Sequence, residues 1–237
     1  MAIGPRDRAD QLRALAADYP VFVEITAEQF VGRLDALPTP VRMGDIFALA
    51  QEFIELPIDD IDQLLQSPEH HQRVGALSIM GKQFNRRATT QTRRTELYEL
   101  YLRRTNYIDT WDLVDLSGHH VVGGYLFDKP RTLLYEMARS SDWWERRLAI
   151  FATLHFVRRG EVDDTFAIAE VLLQDAEDYV NKAVGGLLRE AGKVDQARLV
   201  DFLDRHAATA PRVTLRYAVE RLDPPLRQHY LTLRKGR

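Results

Sequence analysis

The chain has 237 residues, of which 45% are hydrophobic and 28% charged, and its formal net charge is −3 at pH 7. This composition is typical of a folded domain and excludes an intrinsically disordered chain. The absence of cysteine excludes disulfides, thiolate metal sites and cysteine nucleophiles. Because the apolar runs are short and the N-terminus does not read as a secretory signal, we expect a cytoplasmic protein outside the membrane.

Charged residues are sorted by segment along the chain. Residues 73–104 contain eight basic residues against two acidic ones, and residues 205–237 again contain eight against two. Residues 161–178 contain seven acidic residues and no basic one. A protein that is acidic overall can therefore present a basic face to phosphates, although clustered charges can equally belong to ordinary solvated helix faces.

The apolar pattern predicts helices along the whole chain. Between residues 143 and 157, for example, Leu148, Phe151, Ala152 and His155 recur at steps of three and four residues. Every proline lies at the start of a predicted helix or in a gap between helices. In chain order, the predicted helices span residues 6–17, 26–36, 43–54, 58–66, 70–86, 91–104, 110–127, 130–139, 143–158, 163–174, 178–191, 195–206, 212–222 and 224–234.

A weak internal repeat indicates how these helices are arranged. Helices that begin near residues 70, 110, 143, 178 and 211 follow one another at about 33–40 residues. This spacing predicts an all-α fold, a HEAT-like α-solenoid of antiparallel helix pairs, with the second helices and the basic stretches on a concave face. We expect one domain over residues 1–237, in which residues 1–56 form either regular repeats or an irregular cap. An irregular helical bundle is the alternative architecture.

Three successive repeats carry an aromatic residue near the start of their second helix. Residues four apart lie on one helix face, about one turn from each other. A concave surface would therefore present aromatic rings beside a carboxylate, a guanidinium and an ammonium group in turn. The combinations are Trp111 with Asp115, Trp143 with Arg147, and Tyr179 with the nearby Lys182.

These segments resemble the AlkD-like DNA glycosylases, a HEAT-like family that removes alkylated purines. TWDLVD at residues 110–115 is similar to the family's tryptophan-aspartate motif, and WWERRLAIF at residues 143–151 is similar to its next inner helix. NKAVGGLLRE at residues 181–190 is similar to a further helix, and the repeat spacing agrees over about residues 40–235. One position departs from the pattern, because Gly186 stands where active members of the family carry a second tryptophan.

The resemblance implies a DNA repair enzyme that hydrolyses the N-glycosidic bond of purines alkylated at N3 or N7, with Asp115 and Trp111 as catalytic residues. The chemistry agrees, since a cationic purine leaves without protonation and a carboxylate stabilises the oxocarbenium-like sugar. No cofactor or metal is expected, because the adjacent histidine pairs lack helical metal-ligand spacing. We expect a monomer that binds double-stranded DNA, and is nucleoid-associated when bound, through Arg73, Trp143, Arg146, Arg147, Tyr179, Lys182 and Arg189.

Each of these residues also has a purely structural interpretation. A tryptophan and an aspartate near a helix start commonly serve packing and the helix dipole. Arg147 has an alternative role as a salt-bridge partner between repeats. Two other functions therefore stay open, namely a non-catalytic DNA-binding relative, motivated by Gly186, and a protein-binding helical scaffold.

Overall fold

A computed structural model describes residues 25–233 of the chain. Its helices are α1 (Ala27–Asp35), α2 (Met43–Glu52), α3 (Ile58–Leu65), α4 (His70–Asn85), α5 (Gln91–Arg103), α6 (Trp111–Gly118), α7 (Thr132–Met137), α8 (Trp143–Ala152), α9 (Asp163–Val171), α10 (Asp178–Val194), α11 (Gln196–His206), α12 (Arg212–Ala218) and α13 (Pro224–Thr232). The described residues contain no strand. The predicted helix 6–17 lies outside them, and the other predicted helices are confirmed with their ends shifted by a few residues.

Two of these helices continue beyond the bounds just given. Helix α6 runs on through a π-helical segment, His119–Gly123, and a further turn, Gly124–Leu126. Helix α8 is followed directly by the short helix Leu154–Val157, and a 3-10 turn, Thr105–Tyr107, follows α5. Within residues 25–233, no helix has the length and apolar character needed to cross a membrane.

Side chains at the helix starts explain several of the boundaries. Thr26 and Gln29 form a capping box at α1, each side chain bonding to the backbone N–H of the other residue. Thr90 caps α5, Asp142 caps α8 and Asp195 caps α11 by accepting a hydrogen bond from a backbone N–H of the first turn. Each cap satisfies a donor that the helix leaves unpaired and contributes about 1 kcal/mol.

The helices form two rows, as the repeat spacing predicts. Helices α2, α4, α6, α8, α10 and α12 pack in succession against one another, and we call them the second-helix row. The remaining helices, which precede or follow them in the chain, cover the other side of this row. Apolar side chains from both rows make one continuous core. The predicted all-α, HEAT-like solenoid is therefore confirmed.

The basic stretch of residues 73–104 divides between the two rows, although the pattern predicted that it faces one way. Arg93 and Arg94 lie on α5, which belongs to the covering row rather than the second-helix row. Arg93 donates hydrogen bonds to the carbonyl of Leu56 and to Gln83, and Arg104, just after α5, makes a bidentate ion pair with Asp62. These arginines tie neighbouring helices together instead of facing a common partner.

Candidate functional site

A cavity of about 740 Å³ opens on the second-helix row. Four successive helices of the row, α6, α8 with its extension, α10 and α12, contribute its walls. Four of the lining side chains are basic and two are acidic, so the cavity has a net positive lining. The residues are Trp111, Asp115, Arg147, Phe151, Leu154, Arg158, Tyr179, Lys182, Ala183, Gly186, Leu187, Arg189, Glu190 and Tyr217.

Trp111 and Asp115 stand together at one end of this cavity. Both lie on the first two turns of α6 and line the cavity, as their four-residue spacing predicts. The Trp111 side chain is 50% exposed, which is unusual for the largest apolar residue. Asp112 faces away from the cavity, and its carboxylate contacts Nε2 of His70 at 2.8 Å. Of the two aspartates in α6, Asp115 is therefore the one that can meet a ligand in the cavity.

The Arg147 guanidinium forms an ion pair with the Asp115 carboxylate. Its Nη2 donates to Oδ2 at 2.7 Å and to Oδ1 at 2.9 Å, and its Nε donates to Oδ1 at 3.1 Å. Its Nη1 donates to the backbone carbonyl of Tyr179. The Arg147 side chain is only 7% exposed, whereas that of Asp115 is 25% exposed. The guanidinium therefore fixes the carboxylate in one orientation, with part of the carboxylate facing the cavity.

Burial and the ion pair act in opposite directions on Asp115. Removal from water raises the pKa of the Asp115 carboxyl, while the adjacent Arg147 guanidinium lowers it. Burial dominates and raises the pKa to about 6. The group is therefore mostly an anion at pH 7, but it takes up a proton under mildly acidic conditions.

Arg147 points inward in the structure and forms an ion pair between repeats. The resemblance matched Arg147 to an arginine that contacts a phosphate. In the structure its guanidinium is buried between Asp115 and the carbonyl of Tyr179, and it has little surface left for a phosphate. It forms the salt bridge between repeats that the structural interpretation described, and its contact with a phosphate stays a prediction.

Arg146 and Arg73, for which the sequence predicts contacts to DNA, each form an ion pair with an aspartate of the adjacent repeat. Arg146 donates from Nε and Nη2 to the two carboxylate oxygens of Asp175, at 2.6 and 3.0 Å. Arg73 donates from Nη1 to the carbonyl of Tyr107 at 2.9 Å and to Asp109 at 2.8 Å. Neither lines the cavity. Both residues brace the turns before the next second helix, α10 and α6 respectively.

The other predicted DNA contacts lie in or beside the cavity. Tyr179, Lys182 and Arg189 line it, and the Lys182 ammonium lies 5.2 Å from the centre of the Tyr179 ring. Arg189 is paired with Glu220, from which its Nη1 lies 2.5 Å away. Trp143 is half-buried outside the lining and stacks on Tyr179 with ring centres 5.6 Å apart. It therefore supports Tyr179 rather than facing the cavity itself.

Arg158 and Tyr217 line the cavity although the sequence interpretation did not select them. Arg158 was detectable, because residues 147, 151, 154 and 158 share one helix face by their spacing. Its Nη1 donates to Nε2 of His119 at 2.9 Å. Burial lowers the pKa of His119 to about 3, so this imidazole is neutral and can accept. No carboxylate among the described residues pairs with Arg158, which is exposed at the cavity.

Gly186 lines the cavity at the position where the sequence departs from the family pattern. A Cβ atom placed on this residue would meet nothing within 4 Å. The space that a side chain would fill at this position is therefore open, and no neighbouring side chain occupies it. Within residues 25–233, no three histidine, aspartate or glutamate side chains come together in a way that could hold a metal ion.

A family model described as DNA alkylation repair enzyme matches residues 39–222. The chain belongs to the DNA alkylation repair enzyme family. The matched range contains every residue that lines the cavity. Membership in this family makes DNA repair the general function of the protein and DNA its substrate or partner. No curated protein matches the chain.

Proposed function

We propose that this member of the DNA alkylation repair family is a DNA glycosylase that hydrolyses the N-glycosidic bond of purines alkylated at N3 or N7 in duplex DNA. The observation that carries the proposal is the Asp115 carboxylate, which is fixed by Arg147 and faces a cavity beside the exposed indole of Trp111. We further propose that the chain acts as a monomeric cytoplasmic protein, associated with the nucleoid when it binds DNA, with residues 1–237 in one domain.

The reaction needs little from the protein apart from charge and position. A purine alkylated at N3 or N7 carries a positive charge, and it departs as a neutral base without a general acid. The sugar is left with oxocarbenium character, which an adjacent carboxylate such as Asp115 stabilises. The same carboxylate can accept a proton from the attacking water. The face of Trp111 attracts the cationic base or sugar and contributes about 0.5–2 kcal/mol.

Basic side chains around the cavity supply the contacts that hold the DNA backbone. Arg158 and Lys182 present their cationic groups at the lining, and neither is buried. Contacts from such groups to phosphates position a duplex without reading its sequence. We assign the phosphate-contacting role to these two residues in place of Arg147.

Two features of the site favour a second candidate function, the binding of DNA without hydrolysis. The Arg147 guanidinium compensates the charge of Asp115, and a compensated carboxylate stabilises a cationic sugar less than a free one. Gly186 also leaves the cavity without the second tryptophan of the resemblance. Such a protein would bind DNA with a steep salt dependence and would release no base.

The deciding experiment measures free base from a duplex that contains 7-methylguanine. We expect the wild-type protein to release 7-methylguanine and Asp115→Asn to slow the single-turnover rate about 100-fold or more, because the transition-state charge loses its anion. Asp112→Asn is the matched control, since Asp112 lies on the same helix and contacts His70 outside the cavity. It should retain the wild-type rate.

The outcomes separate the two candidates. Absence of release by the wild type, together with salt-dependent binding of the duplex, would establish the non-catalytic function. Equal rates for wild type and Asp115→Asn would show that another group performs the hydrolysis. Circular dichroism of each variant controls for loss of the fold.

A further inference from the structure

Arg158 differs from the other basic side chains of the cavity in the partner that holds it. Three of the four lie 3.6 Å or less from a carboxylate oxygen, namely Arg147, Lys182 and Arg189. Arg158 has no carboxylate partner within residues 25–233, and its Nη1 donates instead to Nε2 of His119 at 2.9 Å. Its guanidinium is therefore held in place while its charge stays available at the cavity.

The imidazole of His119 is a neutral acceptor. A guanidinium can only donate hydrogen bonds, so Nε2 accepts and the ring proton lies on Nδ1. Burial, together with the nearby cations, lowers the pKa of His119 to about 3. Nδ1 is buried and makes no hydrogen bond of normal geometry within the described residues, although the backbone carbonyl of Asp115 favours a proton on the ring. Arg158 is thus the one hydrogen-bond partner of this side chain in the described part of the chain.

Packing alone does not explain a histidine at this position. His119 is only 7% exposed, and its ring packs edge-on against Phe151 with ring centres 5.6 Å apart. A phenylalanine could make the same contact without leaving a buried nitrogen unsatisfied, which destabilises a fold. A buried polar group that is only partly satisfied calls for an explanation outside stability, and its bond to Arg158 supplies one.

The backbone around His119 brings the imidazole to Arg158. The π-helical segment His119–Gly123 packs against α8 and against the short helix Leu154–Val157, which Arg158 directly follows. A Cβ atom on Gly123 would collide with the carbonyl oxygen of Ala152, so only glycine permits this close approach. Single π-helical turns within α-helices occur frequently at functional sites. This one joins the helix that carries Asp115 to the segment that carries Arg158.

We propose that His119 is a positioning residue, whose neutral imidazole holds the Arg158 guanidinium at the cavity for a phosphate of the DNA backbone without compensating its charge. The phosphate contact itself rests on the proposed function. A carboxylate at the position of the imidazole would hold the guanidinium but compensate its charge. An arginine without any partner would keep its charge but would have to be ordered when the DNA binds. A buried neutral acceptor avoids both costs.

Binding of duplex DNA tests this arrangement. The probe is a dye-labelled, undamaged duplex whose fluorescence anisotropy is measured at several salt concentrations, so that binding is observed without hydrolysis. His119→Phe removes the acceptor and should weaken binding about fivefold, because ordering the released Arg158 side chain then opposes binding. His119→Gln keeps a neutral oxygen acceptor and should bind as the wild type does. His155→Phe is the matched control, since His155 is equally buried but makes no side-chain hydrogen bond to Arg158.

Two further readouts distinguish positioning from a structural role. In the Arg158→Gln background, His119→Phe should cause no further loss of affinity, because the guanidinium that His119 holds is absent. His119→Glu keeps an acceptor but adds a negative charge, and it should lower the slope of log affinity against log salt by about one. Circular dichroism and urea unfolding control for the fold of each variant. His119→Leu, which also lacks an acceptor, takes the place of His119→Phe if that variant does not fold.

Four results would each overturn the positioning role. They are wild-type affinity in His119→Phe, an equal loss from this substitution in the wild-type and Arg158→Gln backgrounds, a loss in His119→Gln as large as that in His119→Phe, and an unchanged salt slope in His119→Glu.

Base release from a duplex that contains 7-methylguanine, measured in parallel, separates this proposal from the hydrolytic function. If the wild type releases no base while the variants bind as expected, the hydrolytic function is refuted and the positioning role is supported. If the wild type releases base and Arg158→Gln weakens duplex binding while His119→Phe does not, the positioning role is refuted and the hydrolytic function is supported.

Discussion

Replacing Arg147 by glutamine tests how the site holds its carboxylate. Glutamine keeps a hydrogen-bond donor but removes the positive charge that lies 2.7 Å from Oδ2 of Asp115. Because Arg147 is almost completely buried, solvent cannot replace the lost partner. The variant therefore leaves Asp115 as a partly buried carboxylate without its counter-charge, and the pKa of Asp115 must rise further above about 6.

The structure gives the size and the pH dependence of the effect. Breaking a fully buried ion pair by removing one partner costs about 3–5 kcal/mol of unfolding free energy. Because the Asp115 side chain is 25% exposed at the cavity, we expect a loss near the lower end of this range. Above pH 6 the Asp115 carboxylate of the folded wild type is already ionised. In the folded variant Asp115 stays protonated up to its higher pKa, whereas in the unfolded variant it is ionised. The difference in stability should therefore grow by about 1.4 kcal/mol for each pH unit between pH 6 and the higher pKa of the variant.

Urea unfolding of wild type and Arg147→Gln at pH 5 and pH 8 measures this difference. We expect the loss to be larger at pH 8, because at pH 5 both proteins carry a mostly protonated Asp115. Arg33→Gln is the control, since Arg33 and Glu52 form an exposed pair. Its loss should stay within about 1 kcal/mol at both pH values.

A loss of less than 1 kcal/mol in Arg147→Gln would refute the argument that the pair is buried and mutually dependent. A loss of the same size at pH 5 and pH 8 would refute the argument that burial keeps the pKa of Asp115 near 6. Base release should follow the same titration, since the variant needs a higher pH than the wild type to ionise Asp115.

Two further predictions concern groups near the cavity. Burial lowers the pKa of His119 to about 3 and of His120 and His155 to about 4, so the unfolded chain binds more protons below pH 6.5. Urea unfolding should show a free energy of unfolding that falls as the pH drops from 6.5 to 4, by about 1.4 kcal/mol per pH unit for each proton that the unfolded chain binds in excess of the folded one. Protonation of Asp115 in the folded state acts in the opposite direction. A stability at pH 5 equal to that at pH 7 would contradict it. Arg158→Gln should reduce the slope of log affinity for duplex DNA against log salt by about one, and an unchanged slope would show that Arg158 meets no phosphate.

Local sequence pattern was sufficient for the helices and for part of the site. Helical periodicity and the proline positions predicted the helices between residues 26 and 233, because both signals depend only on residues within a few turns of one another. The same local geometry placed Trp111 and Asp115 on one face and turned Asp112 away from it. The repeat spacing predicted the stacking of the second helices, since equal units can bury their apolar faces only against their neighbours.

The partners of the charged residues were decided by tertiary packing alone. Arg147 and Arg146 are neighbours on α8, yet one is buried under Asp115, 32 residues away, and the other binds Asp175, 29 residues away. Tyr217 reaches the cavity only because Gly185 lets α12 press against α10. Periodicity determines which face of its own helix a residue occupies. Periodicity does not determine which side chain of the next repeat contacts that residue, because the contact depends on the rotation and separation of two packed helices.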